Sequence, residues 1–244
     1  MKLISLNIWG GHIYKPLLEF IQSHRDVDIF CFQEVYHKAP HKVSADDKKV
    51  ALNIFSELQE LLPGHNAFFR PVVSNIYGIG TFIKKEIEVE EEGDINIYTC
   101  ANYPGRGPTH SRNLQWLKCH FLNQSFSIFN VHGLWNGLGK KDSSDRLAQS
   151  RKIKSFVNSI DTRKILCGDF NLRPDTESLQ IIEHAMNNLI NLHNIRSTRT
   201  SFYSKEEKFA DYIFTSPEVQ VNSFKVLEDE VSDHAPLFLD FDLV

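Results

Sequence analysis

The sequence predicts an α+β fold in which mixed β-sheets stack on one another and helices flank them. Runs rich in β-branched and aromatic residues are frequent and have the composition of strands, whereas only a few segments carry apolar residues at helical spacing. Several strand-like runs also follow one another with no helix between them. A purely parallel, doubly wound sheet therefore does not fit the sequence.

The predicted strands are short, and turn signals separate many of them. Two of them, LQWLKCHF and SFSIFNVH, follow each other across a short turn at Asn123 and Gln124. In chain order the predicted strands cover residues 2–8, 27–35, 66–73, 78–85, 96–100, 114–121, 125–132, 164–170, 209–216, 220–228 and 236–243. The acidic run from Glu86 to Glu92 is interpreted as a solvated strand edge and turn.

The predicted helices are segments with apolar residues three and four positions apart. They run from Lys15 to Ser23, from Asp47 to Leu62, from Ser144 to Ile160 and from Thr176 to Asn188. Pro63 and Gly64 end the second of them.

The totals indicate an ordinary globular protein. The 244 residues are 41% hydrophobic, which is enough for a substantial core, and no linker, repeat or low-complexity block divides the chain. We therefore expect a single domain over residues 1–244. The net charge of −4 gives no overall attraction to nucleic acid or anionic lipid, so a polyanionic partner would need a local basic patch.

The cysteines and the amino terminus bear on the expected compartment. Cys31, Cys100, Cys119 and Cys167 are far apart and mostly lie in apolar runs, which is typical of free buried thiols and not of a disulfide framework or a zinc site. The first residues, MKLISLNIWGG, lack the apolar core of a signal peptide, and the apolar runs are too short for a transmembrane segment. We expect a cytoplasmic protein.

Polar residues close several of the apolar strands. In ILCGDFNLRPD the chain changes from apolar to polar at Asp169 and Asn171, and either a turn or an active site would explain the change. The same kind of residue ends or borders other strands at Asn7, Gln33, Glu34, His132, Asp211, Asp233 and His234. Singly, each is most simply a turn, cap or structural residue. Together they indicate a site, because strand ends on one edge of stacked sheets converge in space.

The chemistry of this set is selective. Carboxylate and amide oxygens suit a hard divalent ion such as Mg²⁺ or Mn²⁺, whereas zinc favours cysteine and clustered histidine. A hard metal ion together with imidazoles indicates phosphate chemistry.

The motifs LNIWG, FQEV, NVH, GDFNLRPD, FADYIF and SDHAPL resemble those of the endonuclease/exonuclease/phosphatase superfamily, in the order that this family uses. The superfamily includes deoxyribonuclease I, abasic-site endonucleases, neutral sphingomyelinases, inositol polyphosphate 5-phosphatases and tyrosyl-DNA phosphodiesterases. GDxN followed by a terminal SDH is specific in combination. The resemblance implies a four-layer α/β/β/α sandwich, with two mixed β-sheets packed face to face and helices outside, and a metal-dependent hydrolase of a phosphate ester.

The resemblance also implies residue roles. Glu34 matches the central magnesium ligand of the family, and Asn7 and Asp233 resemble its companions, directly or through water. His234 and Asp211 match the catalytic His–Asp pair. Asp169 is a second candidate for the base that activates the attacking water, and the choice between it and His234 is left open.

Other positions match the family less specifically. Asn171 would donate a hydrogen bond to a phosphoryl oxygen, and so would His132, which has no acidic partner in the segment 77–80 where deoxyribonucleases carry one. Arg112 lies where tyrosyl-DNA phosphodiesterases have GRNL. Arg173 is interpreted as a phosphate ligand or as a surface arginine.

Two loops are expected to select the substrate: ANYPGRGPTHSRN, with Arg106, His110 and Arg112, and HGLWNGLGKKDSSD, with Trp135, Lys140 and Lys141. Trp135 either contacts a substrate ring or packs back over the core. A phosphodiesterase or phosphatase is the favoured function, and the substrate is a small molecule or a nucleic acid. The alternatives are a DNA endonuclease, exonuclease or repair phosphodiesterase of abasic-site or tyrosyl-DNA type, which predicts one basic groove, and a catalytically silent binding module.

Overall fold

Strands dominate the computed structural model, which describes residues 1–40, 50–105, 107 and 109–243. Within these residues the strands are β1 (Lys2–Asn7), β2 (Ile29–Tyr36), β3 (His65–Val73), β4 (Tyr77–Lys84), β5 (Glu88–Tyr98), β6 (Arg112–Phe121), β7 (Gln124–His132), β8 (Arg163–Asp169), β9 (Asn187–Asn188), β10 (Asp211–Thr215), β11 (Val219–Val226) and β12 (Leu237–Leu243). The α-helices are α1 (Tyr14–Ser23), α2 (Ile54–Leu61), α3 (Ser144–Ser159), α4 (Glu177–Glu183) and α5 (Leu189–Leu192). A 3₁₀ turn covers Trp9–Gly11.

The described strands form two sheets of six. The first sheet has the order β11-β12-β1-β2-β4-β3 and the second has the order β5-β6-β7-β8-β10-β9. Each is mixed, because β1 and β2 run parallel in the first sheet and β7 and β8 run parallel in the second, among antiparallel neighbours. The prediction of two mixed sheets is confirmed.

The alternation of side chains along the strands produces the layers. In β1, Leu3 packs in the apolar cluster that also contains Cys167 of β8, whereas Ile4 and Leu6 pack with residues of α1 and α2. On the second sheet, Phe156 of α3 contacts the rings of Trp116 and Phe129. The result is the predicted four-layer α/β/β/α sandwich.

A buried polar network joins the two sheets near one end of the sandwich. The Gln33 side chain in β2 donates to Asn130 Oδ1 in β7 at 2.8 Å, and Asn130 Nδ2 donates to the backbone oxygens of Phe32 and Gly80 at 3.2 and 3.3 Å. Thr81 Oγ1 donates to Gln115 Oε1 at 2.8 Å. Because each buried amide must find partners, this network favours one alignment of the sheets over others.

Two predicted helices are shorter in the structure. In the described part of the predicted helix from Asp47 to Leu62, the helix begins only at Ile54, and Asp47 lies outside the described residues. The predicted helix from Thr176 to Asn188 ends at Glu183.

The break after Glu183 has a local cause. Ala185 has a positive φ of 59°, and the Asn188 side chain accepts hydrogen bonds from the backbone of Ile190 and Asn191, which starts a new helix. The apolar spacing continues through this break, so the sequence pattern alone indicates one helix.

The acidic run lies at the edge of the second sheet. Strand β5 begins at Glu88, about eight residues before the strand that the sequence predicts from residue 96. Lys118 on the neighbouring strand β6 pairs with Glu90 and Glu91 at 3.3 and 3.2 Å. No helix in the described part of the chain has the length and apolar character needed to cross a membrane.

The first prediction concerns the polar network between the sheets. Asn130→Ala should lower the free energy of unfolding by about 2–4 kcal/mol, because it leaves buried carbonyl and amide groups without partners. Denaturant unfolding measures the change. Asn96→Ala, at an exposed position of β5, is the matched control and should change stability by less than about 1 kcal/mol. Equal stability of the two variants would contradict an aligning role for the network.

Candidate active site

Strand pairing brings the predicted site residues to one end of the sandwich. In the first sheet Asn7, the last residue of β1, is in register with Gln33, which precedes Glu34 in β2. In the second sheet His132 is in register with Asp169, and Asp169 is in register with Asp211. The parallel pair in each sheet thus delivers its carboxyl-terminal residues to a shared site.

The side chain of Asn7 connects the two sheets within this site. Its Nδ2 donates to Glu34 Oε1 and to Asp169 Oδ2, both at 3.0 Å, and its Oδ1 accepts from the backbone N of Trp9 at 3.0 Å. Ser232 Oγ donates to the backbone oxygen of Asn7 at 2.7 Å. In this arrangement the amide nitrogen of Asn7 faces the carboxylates and holds them together.

The backbone turns Glu34 towards the site. Its φ is 58°, and the pairing of β2 with β4 shifts register between Phe32 and Val35, as at a β-bulge. Burial raises the pKa of the Glu34 carboxyl to about 7, and the nearby charges of Asp233 and Asp169 act in the same direction, against the hydrogen bond from Asn7. The charged form of Glu34 is therefore disfavoured, mainly because the carboxyl is desolvated and also because two other carboxylates lie near it.

The donor set fits a hard divalent cation. One oxygen each of Glu34 and Asp169 lies 3.8 Å from His132 Nε2, so the three side chains surround a single point. Arg112 already donates to that nitrogen, which leaves the carboxylate oxygens as donors, and Mg²⁺ and Mn²⁺ prefer oxygen. Asp233 lies next to this group, with Oδ1 3.8 Å from His234 Nε2 and Oδ2 3.4 Å from Arg199.

His132 has a cationic partner instead of an acidic one. Arg112 Nη1 donates to His132 Nε2 at 2.8 Å, and both side chains are buried. Burial lowers the pKa of His132, and the charge of Arg112 lowers it further, so the imidazole is neutral and Nε2 is an acceptor. The absence of an acid in the segment 77–80 is consistent with this arrangement. Nε2 cannot donate to a phosphate oxygen while it accepts from Arg112.

His234 and Asp211 form a close pair. His234 Nδ1 lies 2.8 and 2.9 Å from the two Asp211 oxygens, and Thr198 Oγ1 donates to Asp211 Oδ2 at 2.9 Å. Burial raises the pKa of Asp211 and lowers the pKa of His234, which the positive charge of Arg199 lowers further. We assign the proton of the neutral imidazole to Nδ1, so that Nε2 is an acceptor, 3.7 Å from Asp169 Oδ2.

A cavity of about 1080 Å³ opens onto these groups. On one part of its lining, the aromatic wall, rings contact one another in a series that reaches His132 through His110. The aromatic wall consists of Tyr36, Tyr77, Tyr103 and His110, and Trp9, whose ring stacks on His12, also lines the cavity. A second part, the basic wall, borders His234 and consists of Trp135, Lys140, Arg199, Tyr203 and Lys205.

The remaining predicted residues lie as follows. Asn171, with a φ of 53°, donates from its backbone N to Asp169 Oδ1 at 2.9 Å and from Nδ2 to the Gly133 oxygen at 3.3 Å. Trp135 is part of the cavity lining. Arg173 is not, and its guanidinium holds the exposed Asp175 at 2.7 and 2.9 Å.

The basic groove that the nuclease alternative predicts is only partly present. Arg112 and Lys140 both line the cavity and are buried, whereas Lys141 is exposed and does not line it. Arg106 lies outside the described residues. The cations of the two loops thus enter one pocket and do not form an exposed stripe within the described chain.

Sequence reasoning missed part of the site. Arg199, Tyr203 and Lys205 come from the segment between α5 and β10, which shows neither strand nor helix periodicity and matches no motif. A usable signal was its length, because a long irregular loop next to a catalytic motif is often functional. The mixture of cations and aromatic residues in RSTRTSFYSK would have been a second signal.

The sequence matches the model of the Endonuclease/Exonuclease/phosphatase family over residues 4–234. No curated protein matches the chain significantly. Among solved structures, the mannosyl-6-phosphatase of Bacteroides thetaiotaomicron VPI-5482 is 20% identical with a TM-score of 0.75, and the match covers 100% of each chain.

Two eukaryotic structures are also similar. The human Nocturnin catalytic domain with bound sulfate anion is 18% identical with a TM-score of 0.73, covering 100% of this chain and 93% of that one. A humanized D. rerio TDP2 is 16% identical with a TM-score of 0.72, and the match covers 99% of this chain and 98% of that one. At these identities the likeness shows the fold alone.

The second prediction follows from the raised pKa of Glu34. Because the folded-state pKa of about 7 exceeds the ordinary value of 4.5, the protonated carboxyl stabilises the fold below pH 4.5, and this stabilisation is lost as the pH rises through 7. In EDTA, the wild type should therefore lose on the order of 2 kcal/mol more stability than Glu34→Gln between pH 5 and pH 8.

A divalent cation should reverse this loss by replacing the proton. Thermal melts are expected to show a larger rise in Tm with Mn²⁺ or Mg²⁺ at pH 8 than at pH 5.5 in the wild type, and little rise in Glu34→Gln. Parallel pH profiles for the two proteins, with equal response to the ion, would show that Glu34 is not at a metal site.

Proposed function

The chain belongs to the Endonuclease/Exonuclease/phosphatase family, and we propose that it is a hydrolase that cleaves a phosphate ester with the help of a bound Mg²⁺ or Mn²⁺ ion. The observation that carries the proposal is the meeting of the Asn7-bridged carboxylates with the His234–Asp211 pair at the floor of one cavity. A mannosyl-6-phosphatase of the same fold and a bound sulfate anion on another relative are in keeping with a phosphate ester as substrate.

Glu34 and Asp169 would hold the ion, with Asp233 nearby, and Asn7 would fix the two carboxylates through its amide nitrogen. When bound, a hard divalent ion supplies Lewis-acid activation of a phosphoryl oxygen and stabilisation of the leaving oxygen. The protein contributes fixed oxygen ligands, since Asp169 ends β8, Glu34 lies at the bulge of β2, and both carboxylates accept hydrogen bonds.

His234 is the group that we assign as the base for the attacking water. Its Nδ1–H is held by Asp211, and within the described residues its Nε2 makes no hydrogen bond. Each oxygen of Asp169, in contrast, already accepts a hydrogen bond, from Asn7 or from the backbone of Asn171. A neutral imidazole in a fixed tautomer can accept the proton of water at Nε2.

Arg112 would stabilise the negative charge that grows on the phosphoryl oxygens. Its guanidinium is buried, and it lies close enough to Glu34 and Asp169 for their charges to raise its pKa, although burial lowers it more. Buried cationic donors act strongly on developing charge. Asn171 lies beside Asp169 and offers a neutral amide to the same oxygens.

The third prediction tests the metal-dependent hydrolysis itself. Purified protein with Mn²⁺ or Mg²⁺ should hydrolyse p-nitrophenyl phosphate, bis-p-nitrophenyl phosphate or a sugar phosphate, the last measured by the release of inorganic phosphate. EDTA should remove the activity. Glu34→Gln should reduce kcat at least about 100-fold, because the ion loses its central ligand. Glu88→Gln, on the exposed edge strand, is the matched control and should keep full activity. Turnover that survives both EDTA and Glu34→Gln would rule out the metal-assisted reaction.

The fourth prediction concerns the His–Asp pair. Asp211→Asn should lower kcat about 10²–10⁴-fold with little change in metal affinity, because the amide no longer fixes the proton on His234 Nδ1. Steady-state kinetics and metal titration by calorimetry measure the two effects separately. Asp161→Asn, at an exposed position before β8, is the control. A loss of metal binding equal to the loss of activity would instead place Asp211 among the metal ligands.

A further inference from the structure

The basic wall places three cationic side chains beside the catalytic groups: Lys140, Arg199 and Lys205. It is built from two segments of the chain: Trp135 and Lys140 follow β7, whereas Arg199, Tyr203 and Lys205 precede β10. Contacts between the segments join them, with Lys205 Nζ 4.7 Å from the Trp135 ring centre and Lys140 Nζ 5.6 Å from that of Tyr203. Arg199 stacks on Tyr203 at 4.0 Å.

Two of the three cations are buried within the cavity wall. Lys140 is 1% exposed, and the side chain of Arg199 is 7% exposed. A buried ammonium or guanidinium group is unfavourable unless an anion compensates it, so such groups in a cavity wall indicate an anionic ligand.

The protein itself satisfies these cations only in part. Lys140 Nζ donates to the backbone oxygen of Phe209 at 3.1 Å and makes no direct ion pair within the described residues. Burial lowers the pKa of Lys140, and the more distant charges of Asp169, Asp211 and Glu207 oppose this effect only in part. Arg199 has one carboxylate partner, Asp233, at 3.4 Å, and its buried Nε has no hydrogen-bond partner among the described residues. Several donors of the wall are therefore still available to a ligand.

The loop that carries Trp135 and Lys140 is held in place before any ligand binds. The buried guanidinium of Arg146 donates to the backbone oxygens of Lys141 and Gly139, at 2.5 and 2.6 Å, and Gln149 accepts from the backbone of Leu134 at 2.9 Å. Preorganised donors bind an anion without an ordering cost, which is expected of a binding site and not of solubilising surface charge.

We propose that Lys140, Arg199 and Lys205 form a second anion subsite, which binds a phosphate group of the substrate other than the one that is cleaved. This inference rests on the proposed hydrolysis and specifies its substrate class: a small molecule that carries at least two phosphates. The subsite borders His234 through Asp233, so the second phosphate binds beside the reacting one.

The burial of the cations favours a small molecule over a polymer. Proteins that bind nucleic acid strands without sequence preference follow the backbone with an exposed basic groove, whereas here Lys140 and Arg199 are inside a cavity and the exposed Lys141 does not line it. The net charge of −4 also gives no long-range attraction to a polyanion.

The fifth prediction compares ligands that differ by one phosphate. Calorimetry in Mg²⁺ should show that adenosine 3′,5′-bisphosphate binds at least about tenfold more tightly than adenosine 5′-monophosphate, because charge-assisted hydrogen bonds to the second phosphate are added. Glucose 1,6-bisphosphate against glucose 6-phosphate repeats the comparison without a base. Lys140→Met, Arg199→Gln and Lys205→Met should each reduce the ratio of the two affinities, whereas Lys141→Met should leave it unchanged.

The outcomes are separable. Equal affinity of the wild type for monophosphate and bisphosphate would overturn the subsite, and so would an unchanged affinity ratio in Lys205→Met. Because Lys205 is exposed, Lys205→Met tests the subsite even if the substitutions of the buried cations unfold the protein. If the protein binds a single-stranded oligonucleotide more tightly than either bisphosphate, and this binding requires the three cations, the small-molecule assignment is overturned. Bisphosphate binding without turnover of any phosphate ester sustains the subsite and refutes the hydrolase.

Discussion

The amide nitrogen of Asn7 holds two carboxylates from different sheets at 3.0 Å each, and the geometry of the site depends on this bridge. Glu34 belongs to the first sheet and Asp169 to the second, and without a donor between them their negative charges would repel. The donor–acceptor distance of a hydrogen bond can vary by only a few tenths of an ångström, so the two sheets must keep their alignment at this end. The polar network of Gln33 and Asn130 lies directly behind the bridge and maintains that alignment.

The charges of the site are arranged so that its two histidines stay neutral while its carboxylates stay close together. Burial lowers the pKa of both histidines, and a cation beside each, Arg112 at His132 and Arg199 near His234, lowers it further. Burial raises the pKa of Glu34, and the charges of Asp233 and Asp169 raise it further. A divalent ion at Glu34 would stabilise the charged form of this carboxyl without charging either imidazole.

Much of the fold and of the site could be predicted because both depend on local patterns. The strands alternate clearly, and Asn7, His132 and Asp169 end them, so their convergence follows from the sheets alone. The bulge at Glu34 could not be predicted, since its positive φ is imposed by pairing with β4. The partner of His132 was equally hidden, because Arg112 is twenty residues away and reaches it only through the pairing of β6 with β7.

The part of the site that sequence could not supply is also the part that selects a substrate. The loops after β7 and before β10 follow no periodicity. The shape of the loop after β7 is set by buried side chains such as Arg146, which donates hydrogen bonds to backbone oxygens of that loop. Asp142, in the same loop, accepts from the backbone N of Glu177 and of Ser178, both at 2.9 Å, at the start of α4. The loop is thereby fixed to two helices, α3 and α4, which pack on each other. A wall fixed in this way can present Lys140 and Trp135 at constant positions relative to Asp169, so that recognition and reaction share one rigid frame.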